Sequence, residues 1–545
     1  MLELSKIVNI LLENRGLKNA KDKKNFLNPN DPIDLALEEF SLDEKSIIKA
    51  IKRIQHTAGK NEKIIIYGDY DADGICSTAI LWEALNALGF DVLPHIPERF
   101  SEGYGLNSNT LADLKKRYPN LGLIITIDNG IVANEEVKVA AGLGLDVIIC
   151  DHHAKGDTLP KAHAIIHTEK TSGSGIAWIL ARELRKSYKN TMPIFGDGLE
   201  LAAIGTVADQ IPLLDVNRSI AKFGIDRLRE TRRPGLNELI KDCGIDKKTL
   251  TTSSINFMIA PRINAMGRLS HAVDSLRLLC TKDINKAQGL ARELGKTNSE
   301  RQRIVGDVVI HAKSQADMRE WKGIIILSDK SYHEGVIGLA AAKLVEEFYR
   351  PAIVISQGDK FSKGSARSIA GFNIIETIRM AGEFLVDGGG HPMAAGFTVE
   401  TAKLSQFTQK LDSVCEDLLT EEILTPRIVS DMNLNFNSIT YPLVVKLASF
   451  EPFGIGNFAP QFVTEEVEVA VVKTVGALAK HLKLKLKQNG KFFDAIGFGM
   501  GDLINQIKAG DKISIAYSVE ENVWNGNVDI QLKLKDLRIG SGVDG

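Results

Sequence analysis

Asp69, Asp71 and Asp73 alternate along Asp69-Tyr70-Asp71-Ala72-Asp73-Gly74, directly after the apolar run Ile64-Ile65-Ile66. Three carboxylates on one tight turn repel one another, and bound cations relieve that repulsion. The plainer alternative is a solvated acidic turn. Other segments carry groups of the same kind. Asp128-Asn129-Gly130 follows the apolar run 123–127, Asp151-His152-His153 follows 147–150, and Asp209 closes the apolar stretch 204–208. Carboxylate oxygens with a single imidazole form a hard ligand set, suited to Mg²⁺ or Mn²⁺ rather than Zn²⁺. Two such ions, ~3.5–4 Å apart and sharing a carboxylate, can activate water and stabilise developing charge during in-line attack at phosphorus.

The apolar runs 64–66, 92–96, 123–127 and 147–150 read as buried parallel strands, alternating with helices over 77–88, 109–118, 135–142 and 174–188. In a doubly wound sheet, residues just past the carboxyl ends of the strands gather along one ligand-binding edge. Asp69–Asp73, Asp128 and His152 therefore fall on one rim. Arg99, in the segment 97–105 after another strand end, falls there too. It suits a phosphate clamp or, alternatively, a surface pair with Glu98 or Glu102.

Residues 216–320 lack strand signals and end in a charged stretch, 284–318, expected to be a linker helix. A second α/β unit follows, with strands over 323–327 and 352–355 and helices over 336–349 and 373–385. Beyond Thr425-Pro426 the pattern becomes period-2 alternation, as in Leu482-Lys483-Leu484-Lys485-Leu486-Lys487, which suggests a small β-barrel. Lys483, Lys485 and Lys487 then share one strand face, as a phosphate-tracking stripe or as the lysines that protect an edge strand. Phe492, Phe493 and Trp524 could stack bases. The division is thus 1–45, a helical lead-in; 46–215, the first α/β domain; 216–320, the helical connector; 321–424, the second α/β domain; and 425–545, the barrel.

DYDADG, IDNG, DHH and GTVAD, in that order, resemble the four motifs of the DHH phosphoesterase superfamily. Residues 261–268 (PRINAMGR), 388–396 (GGGHPMAAG) and 452–457 (PFGIGN) resemble the RecJ single-strand DNA exonucleases within it. The resemblance implies two α/β domains, DHH and DHH-associated, joined by a long helix and followed by an OB fold. It implies a metal-dependent 5′→3′ exonuclease that hydrolyses single-stranded DNA to 5′-mononucleotides in repair and recombination. Asp73, Asp128, His152 and Asp209 would hold one Mn²⁺ or Mg²⁺, and Asp71 with Asp128 the other, with Asp69 nearby. Many superfamily members carry a His where Tyr67 stands here, so the second ion is held more weakly or is completed by Asp69 and water. His153 would touch phosphate or donate a proton to the leaving oxygen, supported by Asn129; otherwise it anchors its loop. Ser365 and Arg367 would grip the 5′ phosphate, with His391 near the scissile one. Arg262, Asn264, Arg268, Arg301 and Gln302 would border the strand. The implied partners are single-stranded DNA, a single-strand-binding protein and a helicase, with the enzyme a monomer. The alternatives are another DHH phosphoesterase (a nano-RNase, or a cyclic-dinucleotide or pyrophosphate hydrolase) and a non-catalytic single-strand-binding replication scaffold.

The bulk numbers agree with such a reading. At 545 residues the chain exceeds one core, and ~100–200 residues per domain gives about three domains. A 44% hydrophobic and 25% charged composition describes a soluble globular protein. With 67 basic against 69 acidic residues, net charge is −2, which excludes a wholly basic coat protein but allows a local basic groove. Five scattered cysteines without a CxxC pair suggest neither a disulfide framework nor a thiolate zinc site, and fit a reducing cytoplasm. Neither a signal peptide nor a membrane-spanning run is expected.

Overall fold

Strands β1 (Lys63–Tyr67), β2 (Val92–His95), β3 (Leu121–Ile127), β4 (Asp146–Asp151) and β5 (Ala164–His167) pair in parallel, in the order β2-β1-β3-β4-β5. The computed structural model describes residues 3–188, 191–315, 323–524 and 527–540. β3 is buried end to end because helices cover both faces of the sheet, so its sequence is continuously apolar rather than alternating. Ile64, Ile66, Leu123 and Ile125 face the core shared with the helices Ala72–Ala87, Gly173–Lys186 and Leu199–Ala208. Ile65, Tyr67 and Ile124 face the opposite layer, against Leu111, Leu114 and Val137. The chain leaves β1 towards β2 on one side and returns to β3 on the other, so the crevice at the carboxyl ends of β1 and β3 is the switch point of the sheet.

The connector helices are not a separate body. Residues of Asp215–Arg229, Pro234–Asp242, Ala260–Leu269 and Val273–Cys280 continue the core of the first domain. A buried ion cluster ties them to it: fully buried Arg233 donates to both oxygens of Glu83 at 2.7 Å and to Glu200 at 2.6 Å. Breaking one such buried partner strands the others, at a cost of about 3–5 kcal/mol. The linker helix runs from Ile284 to Gln315, about 48 Å at 1.5 Å per residue.

The second sheet holds β6 (Ile325–Asp329), β7 (Ala352–Ser356), β8 (Phe361–Arg367), β9 (Leu385–His391) and β10 (Ala394–Glu400), in the order β6-β7-β8-β10-β9. One expectation changes here. The helix expected over 373–385 covers only Ile374–Arg379, and a short 3-10 turn at Gly382–Phe384 leads straight into β9. Gly388–Gly390 are strand residues, and β9 lies on the sheet edge, largely exposed.

In the last domain β12 (Phe462–Val475), β13 (His481–Gln488), β14 (Lys491–Gly497), β15 (Lys512–Trp524) and β16 (Asn527–Ile539) close into a five-stranded barrel, with β11 (Met432–Asn433) beside β12. These strands are longer than the short alternating pattern suggests. β13 pairs with β12 and β14, so its lysines do not protect an edge. Residues 4–27 are no lead-in to the first domain. Ile7, Val8, Leu11, Leu12 and Phe26, from the helices Leu4–Asn14 and Ala20–Leu27, pack in the barrel's own core with Leu443, Phe450 and Phe462.

Candidate metal centre and nucleic-acid cleft

The turn after β1 brings its carboxylates inward through specific backbone contacts. Asp71 caps the helix Ala72–Ala87 by accepting from Gly74 N–H at 3.0 Å. Asp73, in the first turn and 1% exposed, accepts from Gly173 and Ser174 N–H at 2.7 and 3.0 Å. Those donors open the helix Gly173–Lys186, whose N-terminus favours negative charge. Asp128 stands at the end of β3 with φ +65°, a left-handed conformation that Asp tolerates better than most residues and that clusters at functional sites. Asp209 terminates the helix Leu199–Ala208.

Asp128, Asp209 and Asp73 meet at His152, whose Nε2 lies 3.0, 3.5 and 3.9 Å from them respectively. Ligand atoms of Asp73, His152 and Asp209 lie within 4.8 Å of one another, as do those of Asp69, Asp71 and Asp128. Asp128 therefore faces both groups. Tyr67 joins neither: it is wholly buried on the other side of β1, its ring 4.8 Å from that of His95.

The electrostatics favour cations. Burial and the Asp71 charge raise Asp69 well above the usual carboxylate range, and burial with Asp73 raises Asp71. Burial, Asp73 and Asp71 raise Asp128, and the same three causes push Asp209 up to about 8. Burial holds His152 below its ordinary value, hence neutral and free to ligate. Asp69 Oδ1, Asp128 Oδ1 and His152 Nε2 are buried without a hydrogen-bond partner among the described residues. Acceptor atoms aimed at one another and otherwise unsatisfied fit a divalent-cation site with oxygen and imidazole donors.

His153 is oriented by Asp151, not by Asn129. Asp151 accepts from His153 Nδ1 at 2.8 Å and from the backbone N–H groups of Ile131, His152 and His153. Burial opposes protonation of His153, but this carboxylate outweighs it and raises the imidazole above its ordinary value. Asn129 is buried and donates to the carbonyls of Tyr67, Gly68 and Ile127, tying the ends of β1 and β3 together. Tyr104, which sequence reasoning missed, sets its hydroxyl 3.1 Å from His153 Nε2 and 3.2 Å from the Asp128 carbonyl.

A second constellation lies beside the first. Arg268, pushed down to about 10 by burial, lies among Arg99, Arg301 and Arg367, whose charges act in the same direction. Among the described residues none of these four guanidinium groups forms an ion pair. Glu98 instead pairs with His271 and Glu102 with His95, and Arg99 lies over the Tyr70 ring at 5.1 Å. Four unpaired arginines in one place call for an anion. Arg367 Nη1 donates to Ser365 Oγ at 3.2 Å. Both face the N-terminus of the helix Ile337–Phe348, which has no side-chain cap and no acid in its first turn. A Cβ on Gly338 there would lie 2.9 Å from Ser365 Oγ and 3.0 Å from Arg367 Nη2. Bare backbone, serine and guanidinium converge there, a donor set of the kind that holds an anion.

The other expected contacts scatter. Asn264 Oδ1 accepts from Ala72 N–H at 2.6 Å, so it braces the acidic turn. Arg262 is tied to Asp242 at 2.9 Å and to the Met258 carbonyl. Gln302 is exposed on the linker helix, and His391 is exposed on β9 with no hydrogen bond to the acidic cluster among the described residues. On the barrel, Lys483 pairs with Asp494 at 3.4 Å and Lys487 with Glu468 at 3.0 Å, while Lys485 lies over Phe492 at 5.8 Å. Phe492 is half exposed, Phe493 packs inward against Phe436, and the Trp524 side chain lies outside the described residues.

Three family models match the chain: the DHH family N-terminal domain over residues 63–206, the DHHA1 domain over 322–417 and the RecJ OB domain over 430–536. A single-stranded-DNA-specific exonuclease RecJ of Bacillus subtilis is 37% identical over 553 residues, covering 99% of this chain and 68% of the relative. The chain belongs to the RecJ family. A crystal structure of RecJ from Thermus thermophilus in complex with Mn²⁺ superposes with TM-score 0.83 at 30% identity, covering 99% of this chain and 76% of that one. Its Mg²⁺ complex gives 0.77 at 28% identity, covering 99% and 75%. RecJ structures thus bind the two ions that this donor set suits. No helix among the described residues is long and apolar enough to cross a membrane.

Proposed function

We propose that the chain is a metal-dependent 5′→3′ exonuclease that hydrolyses single-stranded DNA to 5′-mononucleotides. The observation that carries this reading is the juxtaposition of an acidic, imidazole-bearing cluster with four arginines that lack acidic partners among the described residues. Asp73, Asp128, His152 and Asp209 would hold one divalent ion, and Asp71 with Asp128 the other, Asp69 adjoining. Ions bound there supply an activated water and charge stabilisation at phosphorus.

The chain's own residues do the rest. Ser365, Arg367 and the first turn of Ile337–Phe348 hold the terminal 5′ phosphate and so set polarity. Arg99 and Arg268 neutralise the next phosphate, with Arg301 beside them. His153, its Nδ1 held by Asp151, keeps a proton at Nε2 for the leaving oxygen. Lys485 and Phe492 offer the trailing strand a cation and a stacking face on the barrel, whereas Lys483 and Lys487 are already half-neutralised by their neighbours. His391, Arg262 and Gln302 stand as outer contacts of the path. We divide the chain functionally at about 46, 216, 321 and 425, with residues 4–27 serving the barrel. The reading extends to a cytoplasmic monomer that works with a helicase and a single-strand-binding protein.

The deciding experiment digests end-labelled single strands of both polarities with Mn²⁺, Mg²⁺ or EDTA. Release of mononucleotides from the 5′ end, abolished by EDTA, is expected. Equal digestion from the 3′ end would overturn the polarity.

A further inference from the structure

Resting on the nuclease reading above, we propose that Phe257 is a stacking platform for one base of the trailing DNA strand, between the metal centre and the barrel. Phe257 is 75% exposed. One such residue on a surface needs no explanation, but its surroundings do. It lies in a single π-helical turn, Ile255–Ile259, between the short helix Thr252–Ser254 and the helix Ala260–Leu269. Such turns are rare, and they are frequent at functional sites because they re-aim side chains.

Phe257, Pro261, Asn264 and Arg268 follow at intervals of four, three and four residues, the spacing of one helix face. Arg268 sits at the anion site and Asn264 against the acidic turn. A strand gripped by its 5′ phosphate at Arg367, with its next phosphate at Arg268, and cleaved beside Asn264 continues along that face towards Phe257. The barrel begins at the far end: Thr252 donates to the Phe453 carbonyl at 2.6 Å. The turn is also braced at the metal centre, where Gln210, next to Asp209, donates to Asn256 at 2.9 Å. An exposed ring on a braced turn, on the face that joins metal centre to barrel, suits a base π-face.

The test places 2-aminopurine at successive positions from the 5′ end of a 5′-phosphorylated twelve-residue strand, bound to full-length protein in Ca²⁺ to suppress cutting. Quenching at one internal position should be lost in Phe257→Ala and kept in Phe257→Trp. Affinity for the strand should fall roughly tenfold in Phe257→Ala. Hydrolysis of a 5′-phosphorylated dinucleotide, which ends before Phe257, should be unchanged. An identical quenching profile in wild type and Phe257→Ala would overturn the stacking role, and a slowed dinucleotide reaction would make Phe257 a support of the metal centre instead. Failure of wild-type protein to bind or cut single strands at all would instead refute the nuclease reading. Thermal melting of each variant establishes that the exposed substitution leaves the fold intact.

Discussion

Gly173 makes room for Asp128: a Cβ at position 173 would lie 2.7 Å from both Cβ and Oδ1 of Asp128. Gly173 is the first residue of a helix, where Ala is otherwise favourable. Gly173→Ala would press on the Cβ of buried Asp128, not on a movable side-chain tip, so it should lower the stability of the metal-free protein as well as displace the carboxylate that faces both ligand groups. The expected result is a loss of hydrolysis of at least 10²-fold, since ~1 Å misplacements reach that size. Unimpaired activity at wild-type metal concentration would show that Asp128 can shift without consequence.

Asp128→Asn keeps a side chain that tolerates the left-handed backbone but removes the charge. Hydrolysis should fall by about 10³-fold or more, several kcal/mol of metal-assisted stabilisation being lost. The metal-free variant should melt at or slightly above wild type, because one member of a self-repelling buried cluster is gone. Calorimetry with and without Mn²⁺ checks both halves, and substantial residual nuclease activity would contradict the shared-carboxylate arrangement.

Proton linkage gives a separate test. Asp209 is pushed up to about 8 by burial and by Asp73 and Asp71, against about 3.9 for an unfolded Asp. Between those values the folded metal-free protein holds a proton that the unfolded chain has released. Stability in EDTA should consequently fall as pH rises from about 4 towards 8. Metal displaces that proton, so the rise in Tm on adding Mn²⁺ should grow over the same interval. A metal-induced shift that stays constant between pH 5.5 and 8.5 would rule out this coupling.

Arg367 has no acidic partner among the described residues, and burial lowers its pKa, so its charge is uncompensated until an anion arrives. Arg367→Ala should slow digestion of 5′-phosphorylated strands by about 10- to 100-fold, the worth of a charge-assisted hydrogen bond. Strands with a 5′ hydroxyl should be cut at nearly the wild-type rate. An equal loss on both substrates would make Arg367 a support of β8 rather than a phosphate ligand.

The metal-centre acids were legible because each follows an apolar run, and strand ends of a parallel sheet are forced onto one rim. Asp151 was read as part of its motif but not as the brace of His153, because a hydrogen bond two residues away leaves no periodic signal. Gly173 and Gly205 were invisible for a related reason. What they do is allow close approach, and a Cβ on Gly205 would lie 2.3 Å from Asp73 Oδ1, a residue 132 positions earlier. Arg262 and Asn264 show a different limit, since polar residues in a binding motif also hold the motif together, and their spacing does not reveal those contacts. The strands around His391 were missed because glycine-rich strands carry no apolar alternation.

Every proposed metal ligand precedes Thr425, which on sequence alone makes the barrel a removable module. The packing argues otherwise. Buried Arg218, on the connector, donates to the carbonyls of Phe26, Ser449, Phe450, Pro452 and Glu451, and lies 3.9 Å over the Phe26 ring. Leu213, four residues past Asp209, donates to the Ile455 carbonyl at 2.8 Å, and a Cβ on Gly454 would lie 2.6 Å from its side chain. Truncation at 425 would leave that guanidinium without four of its five carbonyls and expose Ile7, Leu11 and Leu12, which have no other core. Residues 1–425 should therefore be poorly soluble and melt well below the full chain. Residues 31–425, which shed the orphaned helices as well, should be more soluble and should recover part of the dinucleotide activity when Arg218 is also replaced by Met. Within the full chain, Lys485→Ala should lower the log–log salt slope of strand binding by about 0.7, one phosphate contact, and Lys483→Ala by less because Asp494 already shares its charge. Fragment 1–425 melting as cooperatively as the full chain would refute the coupling, and an unchanged slope for Lys485→Ala would remove that lysine from the strand's path.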